Sequence, residues 1–121
     1  MPITIQPLTL ASAFKIISDS DSDSTSENNV NDGAATVYSI DIDNVAAAVS
    51  YFKAWNAAVP VVGTTAPDLI LGPIVASGRR TCVITGGLSF ATALSFATVT
   101  TAGTAGTTNP ASDVIVDIVV A

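Results

Sequence analysis

The 121-residue sequence has no histidine, a single cysteine and only four cationic side chains, Lys15, Lys53, Arg79 and Arg80. Without histidine, the commonest general base and a principal zinc ligand are both missing. The lone Cys82 cannot close an intrachain disulfide, and it reads as a small buried hydrophobe suited to a reducing compartment. Four cations against ten acidic residues give a formal net charge of −6. That leaves little to neutralise phosphates, so direct nucleic-acid binding is not expected. Charge of either sign is scarce, at 12% of residues against about a quarter in ordinary globular domains. Between Ala54 and Ala121 the only charged residues are Asp68, Arg79, Arg80, Asp113 and Asp117.

Long apolar runs are missing too, although 49% of the residues are hydrophobic. No stretch approaches the roughly 18 consecutive apolar residues of a spanning helix, so no membrane role is expected. Ala11-Ser12-Ala13 imitates a signal-peptidase site, but no basic region precedes it and Pro2, Thr4, Gln6, Pro7 and Thr9 interrupt the apolar character. No secretion signal is expected. A charge-poor chain of this kind reads as a protein with much of its surface covered in an assembly.

What is present is a period of two. Ala35 to Asp43 (ATVYSIDID) predicts a half-buried strand with Tyr38, Ile40 and Ile42 on one face and Val37, Ser39, Asp41 and Asp43 on the other. Val49 to Asn56 predicts a second, alternating Tyr51, Lys53 and Trp55 against Ser50, Phe52 and Ala54. Further strands are predicted at Asp68 to Leu71, Arg80 to Thr85, Ala91 to Thr100 and Val114 to Val120, with glycine and proline between them. Upstream, Ile3-Thr4-Ile5-Gln6 and Phe14-Lys15-Ile16-Ile17 read as one or two strands. Ser18 to Gly33 carries five acidic residues and little that is apolar beyond Val30, so it reads as an exposed loop. The expected architecture is all-β, an antiparallel β-sandwich of jelly-roll-like or immunoglobulin-like kind. Residues 34–121 form the sandwich, and residues 1–33 form an extended N-terminal arm with its acidic polar loop.

Few residues invite a chemical reading. Asp19-Ser20-Asp21-Ser22-Asp23 alternates as many calcium loops begin, but the template fails: the sixth position from Asp19 is Ser24 and the twelfth is Val30. The run reads as a solvated acidic loop, with weak calcium binding at an assembly surface as the alternative reading; no metal site and no cofactor are expected. Asp41 and Asp43 share a strand face, which fits solvated sheet surface better than a catalytic pair, and no serine or cysteine has an activating partner. No phosphate-binding glycine loop is present. An enzyme is not expected. Tyr51, Phe52 and Trp55 are the one aromatic cluster: Tyr51 and Trp55 read either as an interface or carbohydrate-facing pair, or with Trp55 as a core anchor. Arg79-Arg80 reads either as an exposed turn or as a pair meeting an acidic group of a neighbouring subunit. Tyr51, Trp55, Arg79 and Arg80 are thus the candidate interface residues. A short echo, Gly63-Thr64-Thr65-Ala66-Pro67 and Gly106-Thr107-Thr108-Asn109-Pro110, reads as a reused turn, a duplication or a paired binding loop.

From Val37 to Ala121 the chain resembles small virion proteins of tailed bacteriophages, especially those of aquatic bacteria. The likeness rests on VYSIDIDN (Val37 to Asn44), SYFKAWNA (Ser50 to Ala57), VGTTAPD (Val62 to Asp68), GLSF (Gly87 to Phe90), TALSFATVTTAGTAGTTNP (Thr92 to Pro110) and the final VIVDIVVA. The resemblance implies a β-sandwich incorporated in many copies into a phage particle. The expected role is a capsid decoration or cement protein, a homotrimer bound across joints of the major capsid protein and stabilising the head. A tail, baseplate or fibre component is the alternative within the virion, and a carbohydrate-binding adhesion module the alternative outside that class.

Overall fold

The computed structural model of the chain describes residues 14–112 and 114–121. Seven strands follow in chain order: β1 (Lys15–Ser22), β2 (Ala35–Asp43), β3 (Ser50–Asn56), β4 (Leu69–Ile74), β5 (Arg79–Phe90), β6 (Leu94–Val99) and β7 (Val114–Val120). They pair antiparallel in two sheets, one ordered β1-β7-β2-β5 and the other β4-β3-β6. The expected all-β antiparallel sandwich is therefore the fold. The strand expected at Ile3 to Gln6 lies, with the rest of residues 1–13 of the arm, outside the described residues. No helix of the described residues is long and apolar enough to cross a membrane.

Strand β7 shows how directly alternation builds the core. Val114, Val116, Ile118 and Val120 are all buried, while Ile115 is exposed and Asp117 and Val119 are half-buried. Each inward side chain contributes about 1.5–3 kcal/mol relative to exposure. Opposite them, β3 and β6 supply Phe52, Ala54, Leu94 and Phe96, with the Phe52 and Phe96 rings stacked 5.6 Å apart between centroids. Cys82 is half-buried and packs against this core.

The face assignment of β2 needs one correction. Val37 is buried beside Ile40 and Ile42, whereas Tyr38 is half-buried and meets the exposed Phe14 edge-on at 5.3 Å. Between Val37 and Ser39 the β7 partner moves only from Val120 to Val119, and the β5 partner moves from Leu88 to Val83. A bulge at Tyr38 thus shifts the phase of the alternation, which strict period-two counting cannot register. Gly86 and Gly87 make the facing irregularity in β5, both at φ 82. A Cβ on Gly87 would sit 2.4 Å from Thr36 Cγ2, so the site demands glycine on steric as well as conformational grounds.

The acidic run also departs from expectation. Residues 18–22 belong to β1, paired with β7, and Asp19 and Ser22 are buried. The chain then runs along the free edge of β6. The Thr98 amide donates to Asp23 O at 2.8 Å, Glu27 and Phe96 exchange backbone bonds at 2.8 and 3.0 Å, and the Val30 amide donates to Leu94 O at 2.9 Å. Composition marks this segment as poor in apolar side chains, but an edge strand needs only backbone partners and one inward residue, here Val30. The segment leaves one sheet and guards the edge of the other.

The β2–β3 connection is held by Asn44, which is fully buried and hydrogen-bonded at both ends of its amide. Nδ2 donates to Ala48 O and Ile74 O, both at 2.9 Å, and Oδ1 accepts from the Ser50 hydroxyl at 3.1 Å.

Candidate functional site

Two surfaces of the sandwich carry chemistry: the outer face of the four-stranded sheet and a cleft at the sandwich edge. Cross-strand register places Ile16, Val119, Ser39 and Val83 in one row over all four strands of that outer face. Ile16 is 71% exposed and Val83 74% exposed. Tyr38 of β2 meets Phe14, the residue just before β1. The next row reads Ser18, Asp117, Asp41 and Thr81. The face is thus apolar towards one end and charged towards the other. The bounding strand β5, twelve residues without proline, has no strand on its outer edge among the described residues.

At the charged end Arg79 grips Asp41. Nη2 donates to Oδ2 at 2.6 Å, Nε lies 3.1 and 3.2 Å from the two oxygens, and Thr81 Oγ1 donates to Oδ1 at 2.9 Å. The Arg79 hydrogen bonds hold the Asp41 carboxyl below the usual carboxylate range. Arg79, read from sequence as an exposed turn residue or as a pair for a neighbouring subunit's acid, meets an acidic partner in its own chain. Arg80 lies exposed across from Ile42, with no ion pair or side-chain hydrogen bond among the described residues.

Tyr51 and Trp55 do not form a joint surface. Tyr51 is half-buried with its ring against Gly72. Trp55 is fully buried on the outer side of the three-stranded sheet, and its indole Nε1 donates to Thr65 O at 2.8 Å. That burial removes Trp55 from the interface candidates and leaves no indole face for a sugar. Lys53 is buried beside it, with Nζ donating to Gly103 O and, at 3.1 Å, to Gly106 O. Desolvation pushes its ammonium below the usual lysine value. Loops 57–68 and 100–112 therefore cover β3 on the side that strand alternation marks as outward. The two GTT segments meet there: a Cβ on Gly63, at φ 92, would lie 2.4 Å from Thr107 Cγ2.

The second site is a cleft of about 300 Å³ lined by Asp19, Asp21, Glu27, Val30 and Phe96, with Ile17, Ser18 and Ser20. A register shift between Asp19 and Ser22 breaks the alternation of β1, and the bridge to Phe96 fixes Glu27 across from it. Asp19 Oδ1 accepts from the Asp21 amide at 3.1 Å, while Oδ2 is buried without a partner among the described residues. Burial, with the Asp21 carboxyl beside it, pushes the Asp19 carboxyl up to about 6. Sequence alternation signalled the acidic run, but not that the chain folds Glu27 back onto it.

This shift fixes the sign of a pH effect. An acid whose native value exceeds its unfolded 3.8 binds more protons folded, so its contribution is present below pH 4 and lost as pH rises towards 6. In metal-free buffer, Asp19→Asn should gain on the wild type by about 1–2 kcal/mol between pH 3.5 and 7.5, the full shift being discounted for solvent screening. Urea denaturation of the pair across that range measures it. A constant difference would mean that Asp19 is solvated.

Comparison of the sequence with protein-family models and with curated proteins finds no match.

Proposed function

We propose that the chain is a structural protein of a tailed-phage virion, foremost a capsid decoration or cement protein that stabilises the head. The observation that carries an assembly role is the exposure of Ile16 and Val83 at the two ends of the row Ile16, Val119, Ser39 and Val83, which runs to the edge of β5 left unpaired among the described residues. Two exposed aliphatic ends at the apolar end of this sheet, next to a strand edge that no described residue pairs with, suit repeated contact with another copy of the chain. The virion setting, the trimer and the major capsid protein as partner rest on the sequence resemblance. Valency supplies the mechanism: modest contacts multiplied over a trimer bridging several capsid subunits give a bond far tighter than one site.

Light scattering on the isolated chain should return an oligomer at micromolar concentration, a trimer in first place, and Val83→Lys should lower its mass. A monodisperse 12.2 kDa species at high concentration would remove the assembly reading. Copy number in purified particles then separates the locations. Hundreds of copies indicate the head, whereas a few dozen indicate a tail, baseplate or fibre component.

A further inference from the structure

We propose that the edge cleft binds one divalent cation, calcium by its chemistry, through Asp19, Asp21 and Glu27. Each of these side chains offers a carboxylate oxygen, and the three oxygens lie within 4.8 Å of one another. Calcium–oxygen distances of about 2.3–2.6 Å allow ligands up to about 5 Å apart across one ion, so three oxygens this close can share one calcium. The second observation is independent of this clustering. Asp19 is 8% exposed, yet its Oδ2 has no partner among the described residues, and the residue lines the cleft. A carboxylate oxygen buried without a donor is costly, and a cation in the cleft would satisfy it.

The cleft's chemistry narrows the ion. Its lining offers carboxylates, serine oxygens and backbone carbonyls, with no imidazole or thiol. That donor set suits a hard cation and not zinc or copper. No lysine or arginine lines the cleft: Lys15 reaches Asn31, Lys53 the loop carbonyls and Arg79 Asp41. The volume leaves room for the waters that complete a coordination number of six to eight. The ligands come from two segments, β1 and the stretch bridged to β6, so a bound ion would tie the edge guard to the opposite sheet. This site differs from a helix-loop-helix calcium loop, whose spacing the sequence lacks, and it does not depend on the assembly proposed above.

The test is thermal unfolding of the whole chain in chelator and in about 1 mM calcium chloride, with calorimetric titration of calcium. Calcium should raise the Tm by about 5 °C or more and bind one ion per chain. Asp19→Asn should fold, melt in chelator no lower than the wild type and lose the calcium response. Asp32→Asn removes an exposed acid of the same run that lies outside the cluster, and it should keep the response. No Tm shift and no heat at millimolar calcium would overturn the proposal. So would equal loss of the response in both variants, since that marks diffuse surface charge. An equal response to magnesium would overturn calcium as the occupant.

Discussion

Ile40→Asp should leave the chain largely unfolded in neutral buffer, while Ser39→Asp folds and melts near the wild type. Ile40 is 1% exposed and packs among Ile42, Val116 and Ile118, so an aspartate there must either bury an unpartnered charge or take up a proton. The loss is on the order of 5 kcal/mol or more, comparable with the whole margin of a small domain. Ser39 is half-buried on the outer face beside Val119 and Val83, and a carboxylate there costs about 0.5 kcal/mol. Urea denaturation of the two variants reads the difference. Equal losses would place both faces of β2 under cover; equal tolerance would remove β2 from the core.

The second large effect concerns the outer side of the three-stranded sheet. Trp55→Ala should cost about 3–5 kcal/mol, because it opens a cavity under loop 57–68 and frees the Thr65 carbonyl. Trp55→Phe keeps most of the packing and should cost about 1–2 kcal/mol. The wild-type chain has one tryptophan, so its fluorescence reports this site alone. The emission should be blue-shifted and resist acrylamide until the chain unfolds. Ready quenching in the native state, or a loss below about 1 kcal/mol for Trp55→Ala, would mean that the loop does not cover β3.

Where one side of a strand faces the core and the other faces water, the sequence alternation reads correctly. β7 is such a strand, and β2 beyond its bulge is another. The pattern fails where a loop forms a second layer. In β3, alternation identifies Phe52 and Ala54 as one face, but it cannot say that Lys53 and Trp55 opposite them are buried as well. β5 extends to Phe90 through Gly86 and Gly87, which local propensity marks as a break, because the bulge facing Tyr38 uses both glycines. Of the candidate interface residues, Arg79 forms an intrachain pair and Trp55 is inside; neither partner is close in sequence, so spacing carried no signal of either. The acidic cleft was half legible: Asp19 and Asp21 stand out, but Glu27 reaches them only through backbone pairing with Phe96.

The pairing of the first described strand with the last, Lys15 opposite Val120, sets the schedule of folding during synthesis. A ribosome adding about 5–20 residues per second takes on the order of 5–20 s to travel from one partner to the other. Throughout that interval β1 lacks β7, its partner among the described residues, and β2 lacks the neighbour that separates it from β1. Ile17 and an open backbone edge then face whatever chain is nearest. Crowded polysomes therefore favour exchange of first strands between nascent copies, while sparse translation favours closure of each chain on itself.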